Sequence, residues 1–336
     1  MIKKHLLPGS HIIGCLKNDY GIQVATLTFL PLGADINASI YKAQAIDQTS
    51  YFVKLKRGHQ HDISITVVEL LHKEGIQQII PPIKTIHGRP TQTIEDCTLI
   101  LYPFIEGKDG FSRGLTGHQW HELGQALRQI HEIDVPTSIK GQIRKEAYSP
   151  KWREVVRSLY CHIEAKPIDE LAANLSKFMK KHLLAIRRLV DRAELLCQKI
   201  ESKTPKFVLC HSDIHAGNVL LGGNDTIYIV DWDDPIMAPK ERDLMFVGGG
   251  VGNVWNKPHE EQLFYAGYGK TEVNEIILAY YRHERIVEDI AIYSQEILLT
   301  TARGKERLEM YNYFIAMFEP NGVVDIAFKT DEGLSP

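Results

Sequence analysis

The segment 207–233 constrains this chain more than any other. Val219-Leu220-Leu221 and Thr226-Ile227-Tyr228-Ile229-Val230 are apolar, largely β-branched runs, and Gly222-Gly223-Asn224-Asp225 stands between them. Two such runs parted by Gly, Asn and Asp read as a β-hairpin. A hairpin returns its outer ends toward one another, so the residues before its first strand come near those after its second. Here His211-Ser212-Asp213-Ile214-His215-Ala216-Gly217-Asn218 leads into it and Asp231-Trp232-Asp233 leads out. Phe207-Val208-Leu209 reads as a short buried strand entering the loop. Gly217 is expected to take a backbone angle that other residues avoid.

The residue types in this segment suit one chemistry. Phosphoryl transfer to a hydroxyl requires a carboxylate that positions the acceptor, and oxygen ligands that hold Mg²⁺ on the nucleotide phosphates. Asp213 fits the first requirement; Asn218, five positions on, and Asp231 fit the second. An ordinary Asp is a weak base, so alignment of the hydroxyl matters more than proton affinity. The bland alternative is a polar turn and a hairpin with surface acids. His211 and His215 form H-x-x-x-H, but they lack the Glu and the helix that a zinc protease motif needs. Gly248-Gly249-Gly250-Val251-Gly252 comes after a helix-like run and lacks a P-loop lysine, so close packing or substrate access explains it better than a phosphate loop.

Elsewhere the pattern is strands first and helices after. Residues 24–30, 39–43 and 51–55 read as strands, 62–73 as an amphipathic helix burying Ile63, Val67, Leu70 and Leu71, and 97–102 as a buried strand closed by Pro103 and Gly107. Helical spacing then dominates: Trp120, Leu123, Leu127 and Ile130 in 117–132, several helices in 148–203, and further helices at 259–268, 272–294 and 305–318. The expected fold class is α+β: a small, mostly antiparallel sheet unit over 1–102 and a larger helical unit over 108–336, joined by a hinge at 103–107.

Composition narrows the setting. With 44% hydrophobic and 24% charged residues, a net charge of −3 and a pI near 6.6, the chain carries no basic stripe for nucleic acid. Its five cysteines, Cys15, Cys97, Cys161, Cys197 and Cys210, are odd in number and contain no C-x-x-C, which suits a reducing cytosol. No membrane span is expected. The N-terminal Lys3-Lys4 and Ile12-Ile13-Gly14-Cys15 resemble a lipoprotein signal, but Pro8, Gly9, Ser10 and His11 break the apolar stretch. A short helix capped by Ser10 and burying Ile12, Ile13 and Leu16 is expected instead.

Lys54 on a strand, Tyr102-Pro103-Phe104-Ile105-Glu106-Gly107, the loop His211 to Asn218 and Asp231-Trp232-Asp233 occur in that order. In this the chain resembles the aminoglycoside phosphotransferase family, with its protein-kinase-like fold. The blocks 148–154, 209–220, 248–259 and 281–290 extend the likeness through most of the chain. The usual family loop begins His-Gly-Asp and has Pro at the place of Ala216; Ser212 and Ala216 depart from it without removing a chemical group.

The resemblance implies a Mg²⁺-dependent kinase using ATP or GTP, with Asp213 catalytic and Asn218 and Asp231 on the metal. It places Lys54 on the α- and β-phosphates, oriented by Asp62 or else by Glu69, which shares a helix face with it. Asp35 and Asn37, in the turn after Gly33, replace a Gly-rich phosphate loop. Pro103, through its carbonyl, and Ile105, through both backbone groups, would take the purine edge. The implied acceptor is a small cationic aminocyclitol antibiotic, spectinomycin first, whose phosphorylation confers resistance. Asp233, Asp234, Glu284, Glu288 and Asp289 are the acids available for its amines, and Trp255 an apolar wall. A metabolic kinase for an amino alcohol or sugar, and a non-catalytic nucleotide-binding module, are the alternatives. The intact set Lys54, Asp213, Asn218 and Asp231 disfavours the module.

Overall fold

A computed structural model describes residues 7–32, 37–58, 63–201, 204–301 and 304–334. The chain divides into two compact units that are not separated by a single cut at residues 103–107. The first comprises 1–108, 136–142 and 220–233; the second comprises 109–135, 143–219 and 234–336.

In the first unit five strands form one antiparallel sheet: β1 (Val24–Leu30), β2 (Ala38–Ala45), β3 (Ser50–Arg57), β4 (Thr91–Ile94) and β5 (Cys97–Pro103), in the order β1-β2-β3-β5-β4. β3 shows why it forms: Val53 and Leu55 are fully buried on one face, and Lys54 between them points to the other. Tyr41, Ala43, Leu99 and Leu101 complete that apolar face, against which helix α1 (Gly9–Tyr20) lays Ile12, Cys15 and Leu16. Helix α2 (Ile63–Lys73) buries Ile65, Val67, Val68, Leu70 and Leu71, while Ile63 is only half-buried. Two sequence expectations fail here. Helix α1 starts one residue before Ser10, behind Pro8, with no side-chain cap, and Ile13 is 36% exposed. β4 is an addition to the expected strands: Thr91, Thr93 and Ile94 are β-branched and favour a strand, but the run is only four residues long with one aliphatic side chain.

The second unit is mainly helical. Its centre is the 25-residue helix Glu275–Leu299, which buries Ile286, Val287, Ile290 and Ala291 against helices Lys151–Leu159, Glu170–Lys181 and Leu183–Glu201. Helices Lys305–Ala316 and Val323–Asp331 add Phe314, Val324 and Ala327 to that core. A short sheet sets the start of the catalytic-type loop: Ile236–Ala238 pairs antiparallel with Val208–Cys210 and parallel with Arg144–Lys145. Cys210 therefore ends a fixed strand, and the loop begins at His211. The 248–252 run packs tightly, as expected: a Cβ at Gly249 would overlap the Met245 carbonyl and one at Gly252 the Phe111 ring. No helix among the described residues is long and apolar enough to cross a membrane.

Helices Gly117–Glu132 and Pro258–Tyr268 cross at unusually close range. A Cβ at Gly124 would overlap the Phe264 carbonyl oxygen and stand 2.6 Å from the Tyr268 amide; one at Gly267 would overlap the His121 carbonyl. These neighbours are backbone and cannot rotate away. Gly124→Ala is therefore expected to destabilise the protein by about 1–3 kcal/mol despite the better helix propensity of Ala. A denaturation midpoint at or above wild type for this variant would contradict the close crossing.

Candidate active site

In the first unit the chemistry gathers around Lys54. Its Nζ lies 2.8 Å from both carboxylate oxygens of Asp233 and 3.1 Å from Asp231 Oδ1. Lys54 is 13% exposed, and burial disfavours its charge, yet the two carboxylates outweigh that and hold the ammonium above its ordinary pKa. Lys56 lies 3.6 Å from Asp233 Oδ1. Asp231 adopts left-handed backbone, φ 62°, which Asp tolerates better than most residues. The buried Trp232 indole donates to the Ile229 carbonyl at 3.1 Å and fixes the turn out of the hairpin, whose strands are Val219–Leu221 and Ile227–Ile229.

The other first-unit candidates take separate places. Glu69 pairs with Lys84 at 2.8 Å rather than with Lys54. Asp35 and Asp62 lie outside the described residues; Asn37 is exposed at the entry to β2, where its carbonyl accepts from the Arg57 amide at 2.9 Å. Pro103 closes β5. The Phe104 amide donates to the Ser50 carbonyl at 3.1 Å, so in the antiparallel register the Tyr51–Pro103 pair is a non-hydrogen-bonded one. The Pro103 carbonyl consequently points away from β3, beyond the end of β4 at Thr91. Ile105 comes next in half-buried, irregular chain.

In the second unit the loop 211–218 hangs on Asp243. This fully buried carboxylate accepts the His211 amide on Oδ2 at 2.9 Å and the Ser212 amide on Oδ1 at 2.8 Å. His131 Nε2 donates to the same Oδ2 at 3.1 Å, and its Nδ1 meets the Tyr268 hydroxyl at 2.8 Å. Burial pushes the Asp243 pKa up, but the bonds from His131 and the loop backbone outweigh it, and the carboxyl stays below its ordinary value. Bound this way, the loop forces Ser212 to φ 77°, a left-handed angle that costs a non-glycine residue about 1–3 kcal/mol. The Ser212 hydroxyl offsets part of that by donating to the Asp234 carbonyl at 2.8 Å. The left-handed residues of the motif are thus Ser212 and Asp231. Gly217 keeps ordinary backbone; it is small because the His215 and Phe111 rings would each come within 2.8 Å of a Cβ there.

Asp213 is the half-buried product of this arrangement, with 43% of its side chain open. One oxygen, Oδ1, accepts from Arg285 Nη1. The other faces His215 Nε2 at 3.6 Å. His215 Nδ1 accepts the Gly217 amide at 3.0 Å, so the ring proton of a neutral His215 sits on Nε2, toward Asp213. Burial raises the Asp213 pKa, but Arg285 and then His215 more than reverse it, and the carboxyl is held below its ordinary value. Asn218 donates through Nδ2 to the Asp213 carbonyl at 2.8 Å, which leaves its amide oxygen as an acceptor.

The acids expected to meet a cationic acceptor separate into two groups. Asp233 is committed to Lys54, Asp289 to Arg285 at 3.2 Å through both oxygens, and Glu284 to the buried Arg153. Burial, opposed by Arg153, pushes Glu284 up to about 7. Trp255 is a core residue, 5% exposed and edge-on to Trp120 at 5.0 Å, rather than an open wall. Asp234 is exposed and Glu288 half-buried, and neither carboxylate forms an ion pair among the described residues. Sequence reasoning missed Asp243 and the role of Arg285. The available signal for Asp243 was an acid set directly against the apolar run Leu244-Met245-Phe246-Val247. His131, Cys210 and Asp243 stand close enough together for a metal. However, both Asp243 oxygens already serve the loop, and burial pushes the Cys210 thiol well above its ordinary value.

Asp243→Asn removes the charge and sets an amide NH₂ donor against a backbone N–H donor. We expect a loss of stability on the order of 3 kcal/mol, together with loss of activity. A depressed carboxyl pKa contributes stability that is present above the unfolded value and lost as pH falls through the folded one. The wild-type advantage should therefore be full above pH ~4 and shrink below it. Equal melting of the two proteins at neutral pH would contradict the role given to Asp243.

Comparison with known proteins agrees with this chemistry. A family model described as phosphotransferase enzyme family matches residues 28–273. The fold and sequence are similar to those of spectinomycin phosphotransferase crystallised with ADP and spectinomycin: 52% identity over 97% of this chain and 99% of that one, TM-score 0.93. Its AMP-bound complex gives 51% identity, 96% and 99% coverage and a TM-score of 0.88. An amicoumacin kinase, at 16% identity, 96% and 97% coverage and TM-score 0.63, shares the fold. A search of curated proteins found no match. The loop, the lysine and the length of the match agree: the chain belongs to the phosphotransferase enzyme family.

Proposed function

We propose that this protein transfers the γ-phosphoryl group of a nucleoside triphosphate to a hydroxyl of an aminocyclitol antibiotic, spectinomycin before others, and so confers resistance to it. The observation that carries the reading is the 52% identity, over nearly the full length of both chains, to an enzyme crystallised with ADP and spectinomycin. The residues this chemistry needs are all present: Lys54, Asp213, Asn218 and Asp231.

Each residue has a distinct task. Asp213 orients the acceptor hydroxyl through its second oxygen, the one that faces His215 Nε2 at 3.6 Å, and takes up the proton as the bond to phosphorus forms. Its lowered pKa makes it a poor base, which suits a transfer in which positioning and charge stabilisation carry the rate. Lys54 pairs with the α- and β-phosphates when nucleotide replaces its present carboxylate partners, with Asp62 orienting it. Asp35 and Asn37 approach the phosphates, and the Pro103 carbonyl with the Ile105 backbone takes the purine edge. Residues 1–102 thus serve the nucleotide, 103–107 its base, and 108–336 supply the catalytic loop and the acceptor site, together with Asn218 and Asp231 for the metal. Asn218 and Asp231 suit Mg²⁺: the first has a free amide oxygen, the second a carboxylate oxygen beyond the one on Lys54, and both are hard ligands. Held by these two residues, Mg²⁺ would supply neutralisation of the charge that develops on the transferred phosphoryl group. The free carboxylates of Glu288 and Asp234 are the ones left to take the acceptor's ammonium groups. Five free cysteines, four of them buried, suit a reducing cytosol.

Two measurements test this. In a purified-protein assay with Mg²⁺ and ATP, spectinomycin should be phosphorylated while kanamycin and choline are poor acceptors; equal or better turnover of either would defeat the acceptor assignment. Asp213→Asn should keep its melting temperature and nucleotide affinity but lose on the order of a hundredfold or more in kcat. Near-normal turnover by the folded variant would remove Asp213 from the mechanism.

A further inference from the structure

Arg285 donates to two carboxylates, Asp289 and Asp213. It lies on the helix Glu275–Leu299, one turn before Asp289, and its Nε sits 3.2 Å from each Asp289 oxygen. An i,i+4 pair of this kind is worth only a few tenths of a kcal/mol by itself. The other arm, Nη1, is spent on Asp213 Oδ1, and the guanidinium stands 5.6 Å from the centre of the Phe246 ring. The side chains of Arg285 and Asp289 are 17% and 18% exposed, whereas that of Asp213 is 43% exposed. The three form a chain whose inner members are covered and whose outer member opens to solvent. A planar guanidinium held on one side by a carboxylate has a fixed direction on the other. The second Asp213 oxygen is left without such a tie, since His215 Nε2 stays 3.6 Å away.

We propose that Arg285 is a positioning residue for phosphoryl transfer. Held in place by Asp289, it fixes one oxygen of Asp213 so that the other is presented to the acceptor hydroxyl. Asp289 accordingly acts through Arg285 and does not bind the acceptor's amines. The inference rests on the reading of Asp213 as the residue that orients the acceptor. Its signature is a kcat effect without a binding effect, because the tie shapes the angle of approach and touches neither substrate.

The test uses the full-length protein with Mg²⁺, ATP and spectinomycin, and the variants Arg285→Ala, Arg285→Lys, Asp289→Asn and the Arg285→Ala/Asp289→Asn double. Arg285→Ala should lower kcat by on the order of tenfold to a hundredfold, with KM for both substrates within about twofold of wild type. Millimolar ethylguanidinium should restore part of that loss, which a general weakening of the fold would not allow. Asp289→Asn should lower kcat less, and the double variant should be no worse than Arg285→Ala, as expected for residues acting in series. Arg285→Lys keeps the charge but not the fork and should fall between wild type and Arg285→Ala. Wild-type kcat in folded Arg285→Ala overturns the proposal, as does a raised acceptor KM with kcat unchanged in Asp289→Asn. If Arg285→Ala does not fold, Arg285→Lys and Asp289→Asn decide by the same criteria. Wild-type protein assayed in parallel separates the two ideas. Transfer to a different alcohol moves the same comparison to that acceptor, whereas no transfer to any acceptor overturns both.

Discussion

Two backbone amides on one buried carboxylate hold the catalytic-type loop together. Asp243 accepts from His211 and Ser212 within 2.9 Å and is itself held by His131. A buried carboxylate without partners would be costly, so the loop and the acid require one another. The bonds dictate the left-handed angle at Ser212, and that angle turns the chain so that Asp213 leaves the core while His211, two residues earlier, stays within it. Strain at Ser212, hydrogen bonds at Asp243 and exposure at Asp213 are parts of one local arrangement. The family's usual Gly at the Ser212 position would take this angle without strain; the Ser hydroxyl instead adds a bond to Asp234.

Most carboxylates around the two sites are already allotted to cations of the chain itself. Asp233 and Asp231 hold Lys54, Glu284 holds Arg153, and Asp289 holds Arg285, which in turn holds Asp213. Each pair ties down a charge that would otherwise compete for a cationic ligand. Glu288 and Asp234 keep their charge uncommitted among the described residues. An acidic stretch in sequence is therefore not an acidic pocket: at positions 284–289 three carboxylates have neighbouring numbers, and two of them serve arginines.

The sequence made the periodic elements legible. The helix 117–132 appears at its expected bounds and the strand around Lys54 within two residues of them, whereas the helix expected at 272–294 runs from Glu275 to Leu299. The hairpin was legible because Gly222 to Asp225 interrupts two apolar runs; Asn224 and Asp225 do take left-handed angles there. Asp213, Asn218 and Asp231 stood out by spacing and by family resemblance. The hidden features depend on partners distant in sequence. Asp243 meets the loop 31 and 32 residues away, and its one local signal, the apolar run that follows it, marks burial but not the partner. Arg285 and Asp289 look like a solvated helical pair until the position of Asp213 is known. Thr91–Ile94 pairs along β5, a partner that its four residues do not reveal. Ser10 failed as a cap because the cap position falls on Pro8, so Ser10 is already inside the helix.

The central claim is that the γ-phosphoryl group passes from nucleotide to an aminocyclitol hydroxyl held at Asp213. The most direct measurement traces that group with ATP labelled only at the γ-phosphate, incubated with Mg²⁺, protein and spectinomycin, with all products resolved. The account predicts that label appears as a phosphate monoester on the drug, in step with ADP, and that inorganic phosphate stays at the level seen without drug. Label found in inorganic phosphate at the same rate with or without spectinomycin would contradict it.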